Sequence, residues 1–151
     1  MAVLSELELD AQVSSRGEPQ PGFPVEPNTT ATVDGNTILC LGPDEWLVLG
    51  GHEEDYPRAA ATVDVSAGRV VLELSGTDAV EVLAQGCSLD LHPSVFAPGS
   101  CAQTLLARAQ VILVRPDERR FLLLVRPSFA PYLRAWLEDA IAGATTLRSS
   151  R

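Results

Sequence analysis

Cys87, Asp90, His92 and Cys101 are the residues best suited to chemistry in this chain of 151 residues. They place two thiols, a carboxylate and an imidazole in one short stretch. Zinc would require four such ligands to converge, and such sites are usually marked by closely spaced cysteine pairs. Here the two cysteines stand fourteen positions apart. A catalytic thiol would need a basic neighbour to lower its pKa, and His92 is the nearby candidate. The plainer reading is two small buried hydrophobes and one hydrogen-bonded histidine on a packed loop. We take that reading, under which no residue of this chain is catalytic, cofactor-binding or metal-binding. His52, Glu53, Glu54 and Asp55 form a second cluster, but adjacent loop carboxylates ordinarily make a solvated connector.

Other chemistries lack their parts. No G-x-S-x-G, G-x-G-x-x-G or Walker loop is present. All 11 cationic residues are Arg, so a Schiff-base lysine and a phosphate-binding lysine are excluded. A net charge of −9 argues against nucleic acid or an anionic membrane as partner. Every apolar run is interrupted by Arg, Glu or Pro short of a membrane span. The acidic N-terminus lacks the basic and apolar regions of a secretory signal, and three cysteines without such a signal suggest a reducing, cytoplasmic setting. Hydrophobic residues make up 46% of the chain, which fits either a full core or a surface buried against a partner.

The positioning elements follow from turn residues and apolar spacing. Residues 1–31 are rich in Pro, Gly, Ser and Asn and read as an irregular N-terminal arm, with Phe23 and Val25 as candidate anchors on a partner. Residues 36–41 and 45–49 predict a hairpin about Gly42, Pro43 and Asp44, with Trp46 on the core or at the sheet's end. Residues 62–66 and 69–74 predict a second hairpin about Ala67 and Gly68, pointing Val63, Val65, Val70 and Leu72 inward. Ser75 and Asp78 have capping-box spacing before a short helix with Ala79, Val82 and Leu83 on its apolar face and Gly86 as a left-handed cap. Residues 87–103 then form a long loop, pinned by Leu89, Leu91, Val95 and Phe96. A third hairpin joins residues 110–115 and 119–126, whose unalternating apolar runs predict burial on both faces. Ser128 would cap a final helix with a stripe of Phe129, Leu133, Trp136, Leu137 and Ala140, closed by Gly143. The expected organisation is an arm at 1–31, one domain at 32–143 and a tail at 144–151. Its fold class is α+β, with two hairpin-plus-helix units forming small antiparallel or mixed sheets and helices on one face.

The chain also carries a family pattern. Its segments are Leu41-Gly42-Pro43-Asp44-Glu45-Trp46-Leu47, Asp64-Val65-Ser66, Leu74-Ser75-Gly76-Thr77-Asp78-Ala79, Leu83-Ala84-Gln85-Gly86-Cys87-Ser88-Leu89-Asp90-Leu91 and Phe96-Ala97-Pro98-Gly99-Ser100-Cys101-Ala102-Gln103-Thr104. In this order and spacing they resemble the gamma subunit of heterotetrameric sarcosine oxidase. The resemblance implies a fold like the folate-binding region of the glycine-cleavage aminomethyltransferases. It implies a noncatalytic subunit that supports a complex demethylating sarcosine to glycine, with hydrogen peroxide and methylene-tetrahydrofolate, or formaldehyde, as the other products. FAD, FMN, NAD, tetrahydrofolate and zinc are then expected in the other subunits: alpha with the folate domain, beta with flavin and delta with zinc. A gamma subunit of a related N-methyl amine oxidase, or a stand-alone folate-binding or one-carbon-transfer domain, is the alternative.

Overall fold

Tight turns and apolar runs build the local strand pairs. The computed structural model describes residues 1–9, 11–52, 55–56 and 61–149. β4 (Asn36–Gly42) and β5 (Glu45–Leu49) pair antiparallel across Pro43 and Asp44, as those turn residues dictate. β9 (Ala109–Asp117) and β10 (Arg120–Val125) pair likewise, with a register shift between Arg120 and Leu122. Residues 111–115 and 121–125 are buried without a break, so both faces of this hairpin are covered.

The other pairings are long-range and divide the chain into two units. The first unit comprises Met1–Leu7, Arg69–Pro98 and Gln103–Arg151. Its sheet runs in the order β1 (Val3–Glu6), β7 (Val70–Ser75), β10, β9 and β8 (Ser100–Leu106), with β8 an edge strand. α1 (Ala79–Ala84) buries Ala79, Val82 and Leu83, and α2 (Ala130–Ser149) buries Leu133, Leu137, Ala140 and Ala144. The two helices meet where Gln85 Nε2 donates to the Ala140 carbonyl at 3.0 Å. Among the described residues no helix is long and apolar enough to cross a membrane.

The second unit comprises Glu8–Gly68 and Gly99–Ala102. Its sheet runs β3 (Thr30–Val33), β4, β5, β2 (Gln12–Arg16) and β6 (Ala61–Asp64). Trp46 lies at its centre, 1% exposed and packed with Val13, Phe23, Ile38, Val48 and Tyr56. Phe23 sits between Trp46 and Tyr56, with ring centroids 5.9 and 5.8 Å away. Trp46 Nε1 donates to the Pro24 carbonyl at 2.7 Å, which satisfies the one polar atom the indole buries.

The α+β class holds, but its internal organisation differs from expectation. Residues 1–31 are not an irregular arm: β1 and β2 lie inside them, and the expected boundary at residue 32 falls within β3. β2 is unremarkable in its own sequence and is made a strand by partners on both sides, β5 and β6. Phe23 is committed to the core of its own unit, while Val25 is exposed. The expected hairpin at Ala67–Gly68 does not form, because β6 pairs with β2 whereas β7 pairs with β1 and β10. A 3-10 turn at Ser66–Gly68 carries the chain onward, begun by Asp64, whose carboxylate accepts from the Ser66 amide at 2.8 Å and hydroxyl at 2.6 Å. Those two bonds hold the Asp64 carboxyl below its ordinary pKa. Val63 is exposed in consequence. Both α-helices follow strands of the first sheet, and the second unit has none among its described residues.

Four helix-end expectations also change. The residue capping α1 is Asp78, which makes no side-chain cap bond, and Ser75 closes β7 instead. Ser128 lies inside a 3-10 turn, Pro127–Phe129, so Phe129 is 44% exposed and outside the core stripe. α2 runs through Gly143 to Ser149, since an isolated Gly only weakens a helix that packing supports. Gly86 is required for space and not for a left-handed φ. A Cβ there would lie 2.5 Å from Trp136 Cζ2, with ring and backbone leaving it nowhere to go. Gly86→Ala is therefore expected to cost about 1–3 kcal/mol by overpacking. Urea denaturation followed by Trp fluorescence would measure it, and an unchanged midpoint would refute the close contact.

Candidate functional site

The four residues suited to chemistry are not brought together. Cys87, Asp90 and His92 belong to the first unit and Cys101 to the second. Asp90 and His92 share a local turn, in which Asp90 Oδ1 accepts from the His92 amide at 3.0 Å. The Ser94 amide donates to His92 Nδ1 at 3.1 Å, and the Ser94 hydroxyl lies 2.7 Å from the same atom. An amide can only donate, so Nδ1 is the unprotonated nitrogen and the imidazole proton sits on Nε2. This histidine is spent on its own turn. Cys87 is half-buried and bridges antiparallel to Leu106. Among the described residues no group of three or more His, Cys, Asp or Glu is arranged to hold a metal. Of the second cluster, Glu53 and Glu54 lie outside the described residues, and Asp55 accepts from the His52 amide at 2.9 Å.

Cys101 is not on the loop but in β8, where it is buried beside Cys40. Its Sγ lies 3.7 Å from the Thr29 carbonyl and 3.8 Å from that of Cys40. Burial, with the neighbouring Cys40 thiol adding to it, pushes the Cys101 thiol up to about 12, and burial raises Cys40 as well. Thiolate is the nucleophile, so both are inert near neutral pH. The expected labelling order under native conditions is Cys87 first, with Cys40 and Cys101 reacting on unfolding. Mass mapping after a short thiol-reagent pulse tests it, and fast modification of Cys101 would contradict the geometry. The same shift predicts a pH effect. The unfolded thiol ionises first, so its contribution to stability is intact below about pH 9 and falls as pH rises towards 12. Cys101→Ala should flatten that part of the stability profile.

Residues 87–99 are held by a residue that sequence reasoning passed over. Arg115 on β9 is 2% exposed, and its Nη1 donates to the carbonyls of Leu91 at 2.8 Å and Phe96 at 2.9 Å. Its Nη2 donates to the Glu118 carbonyl at 2.8 Å, and the guanidinium lies 4.9 Å from the Phe121 ring centroid. Leu91 and Phe96 are buried as expected, but Val95 is exposed. The hairpin that was legible by its apolar runs thus clasps the loop through Arg115, the one charge within its buried runs 111–115 and 121–125. The available signal was that charge, which reads at first as a strand end.

A groove of about 370 Å³ opens on the same unit, lined by side chains of β8, β9 and β10 together with Arg69. Val125 pairs with Val70 and with Val111, so the next row places Gln110, Arg126 and Arg69 side by side on neighbouring strands. The two-residue turn at Ala107 and Arg108 sets Leu105 opposite Gln110 and completes the row. Ile112 and Leu124 form the apolar floor. No carboxylate lines this groove among the described residues.

Comparison with known proteins places the chain. Residues 22–143 match the family described as "Sarcosine oxidase, gamma subunit family". The chain belongs to the sarcosine oxidase gamma subunit family. The match takes in Arg115, the loop it holds and the groove. "Sarcosine oxidase subunit gamma" of Corynebacterium sp. (strain P-1) is 38% identical over 131 residues, covering 80% of this chain and 64% of that protein. The protein of the same description from Arthrobacter sp is 34% identical over 130 residues, with the same two coverages. The chain thus spans slightly less than two thirds of the length of these gamma subunits. The fold is similar to a chain of "Heterotetrameric Sarcosine Oxidase from Corynebacterium sp. U-96 in complex with pyrrole 2-carboxylate", with a TM-score of 0.84 and 29% identity over 95% of this chain and 85% of that one.

Proposed function

We propose that this chain is a noncatalytic subunit that supports assembly of a heterotetrameric sarcosine oxidase. The observation that carries the reading is the fold match over 95% of the chain to a protein of that description. The residue chemistry supports it. Two of three thiols are buried and protonated, and His92 is occupied by its own loop. The complex takes the N-methyl carbon of sarcosine off at the imine level, with oxygen as final acceptor. Sarcosine, oxygen and tetrahydrofolate give glycine, hydrogen peroxide and methylene-tetrahydrofolate; with water in place of folate the carbon leaves as formaldehyde. In this reading FAD, FMN, NAD, folate and zinc are held by the alpha, beta and delta subunits, and this chain contributes no catalytic residue. Assembly takes place in the cytoplasm, where its three free cysteines stay reduced.

Co-expression of the tagged chain with the three other subunits tests the proposal. One stable complex that oxidises sarcosine is expected, with poor yield or self-association of the large subunits when this chain is omitted. A well-behaved monomer that ignores the other subunits in a pull-down would sink it. Cys87→Ser and Cys101→Ser complexes should turn over nearly as the unmodified complex does. Normal assembly with a large loss of turnover would assign chemistry to a thiol.

A further inference from the structure

Residues 90–96 make a surface tip that is tied down from two sides. From within, Arg115 holds the carbonyls of Leu91 and Phe96, whose side chains are both buried. Between them His92, Pro93, Ser94 and Val95 are exposed, Val95 at 63%. From without, the tip is tied by its own polar groups. Asp90 Oδ1 accepts from the His92 amide, and the His92 carbonyl accepts from the amides of Val95 and Phe96 at 2.9 Å each. None of these bonds involves the imidazole. The Ser94 amide is different, because its acceptor is His92 Nδ1. A backbone amide can only donate, so this bond exists only while Nδ1 carries no proton. The Ser94 hydroxyl at the same nitrogen has no such limit, since a hydroxyl can turn and accept where it had donated.

We propose that His92 is a pH-sensitive latch, which fixes residues 93–95 while its ring is neutral and releases them when the ring takes a second proton. Histidine is the side chain whose ordinary charge change falls between about pH 5 and 8. Protonation at Nδ1 sets two N–H groups against each other, and the Ser94 amide must turn to solvent. Two charged groups surround the ring. Asp90, on the same loop, directs Oδ1 to the His92 amide and forms no ion pair with the ring among the described residues. Arg115 reaches from β9 to the carbonyls on either side of the tip. These two act in opposite senses on a charge at the ring, so they set where the release occurs and not its sign. The tip is ordered at the higher pH and loosens as pH falls through the histidine range. The release is local, because the bonds of Arg115 and the burial of Leu91 and Phe96 do not depend on the ring. Its consequence falls on Val95: the neutral latch presents this apolar side chain in one position, and the protonated latch in many. The device belongs to this chain alone and does not rest on the subunit reading.

Hydrogen-exchange mass spectrometry of the full chain at about pH 7.5 and about pH 5.5, either side of the histidine midpoint, reads the latch. Labelling times are scaled to equal intrinsic exchange. Protection of the amides of Ser94, Val95 and Phe96 is expected to fall about three- to tenfold at the lower pH, the equivalent of one hydrogen bond. In His92→Asn the side-chain oxygen accepts from the amide two residues on and does not titrate, so protection should stay level. In His92→Ala it should be low at both pH values. The position is exposed, so the melting temperatures of both variants should match that of the unmodified chain. Equal protection at both pH values in the unmodified chain, or a fall of the same size in His92→Asn or His92→Ala, would overturn the proposal.

Discussion

Arg115→Ala is expected to destabilise the first unit by about 3–5 kcal/mol, from the loss of three charge-assisted hydrogen bonds at about 1.5–3 kcal/mol each, less the recovered desolvation. Three carbonyls, those of Leu91, Phe96 and Glu118, lose their donors at once. Each buried acceptor left unpaired costs about 1–3 kcal/mol, less where water can enter. The space beneath the Phe121 ring is vacated as well. Against this stands a return: the buried guanidinium pairs with no carboxylate among the described residues, and its Nε has no partner. Removing the charge therefore recovers part of its desolvation cost, which keeps the estimate from rising further. Arg115→Met separates the contributions by keeping the stem's volume while deleting the donors. Each unit holds one of the two Trp residues, so Trp136 fluorescence during urea denaturation reports on this unit. The loop amides at 91–96 should also lose hydrogen-exchange protection. A cost below about 1 kcal/mol would mean that the loop is held by Leu91 and Phe96 alone.

Trp46→Ala is expected to have a comparable effect in the second unit, about 3–5 kcal/mol. The indole is 1% exposed, and its removal leaves Phe23 without one ring neighbour and the Pro24 carbonyl without its donor. Trp46→Phe should recover most of the packing but not the hydrogen bond. The other indole, Trp136, is only half-buried, so its truncation should cost less than that of Trp46. Chemical denaturation of both variants gives the comparison, and an equal or larger cost at Trp136 would show that burial is not what ranks them.

What could be read from the sequence was what is encoded locally. The β4–β5 and β9–β10 pairs are set by turn residues lying between their strands, and the helix faces by spacing along one segment. Partner choice over distance is encoded nowhere in particular. β6 and β7 flank a short Ala-Gly step and look like a hairpin, yet each finds its partners elsewhere, Val13 with Asp64 and Leu74 with Leu4 among them. β2 carries two serines and little β propensity, and only its neighbours make it central. The same holds for the site. Cys87, His92 and Cys101 were visible because their chemistry is rare; Cys101 is buried, Cys87 is half-buried and His92 is bonded within its own turn. Arg115 was hidden, because burial and its hydrogen-bond partners, not residue type, give it its meaning.

The chain passes between its two units four times, at Leu7–Glu8, Gly68–Arg69, Pro98–Gly99 and Ala102–Gln103. Its first strand, β1, pairs with β7, and the strand that joins β7 to the rest of the first sheet is β10. During vectorial synthesis β1 therefore waits for its partner β7, which ends at Ser75, half-way along the chain. The first sheet closes only after residue 125 is free of the exit tunnel, and the 99–102 crossing must be made before the second unit is complete. Unpaired strand edges exposed for that long favour early engagement by a chaperone or by a partner. Neither unit can be excised as a single stretch of gene: truncation from the N-terminal end removes β1, whose partner β7 lies far along the chain, and truncation from the C-terminal end removes α2.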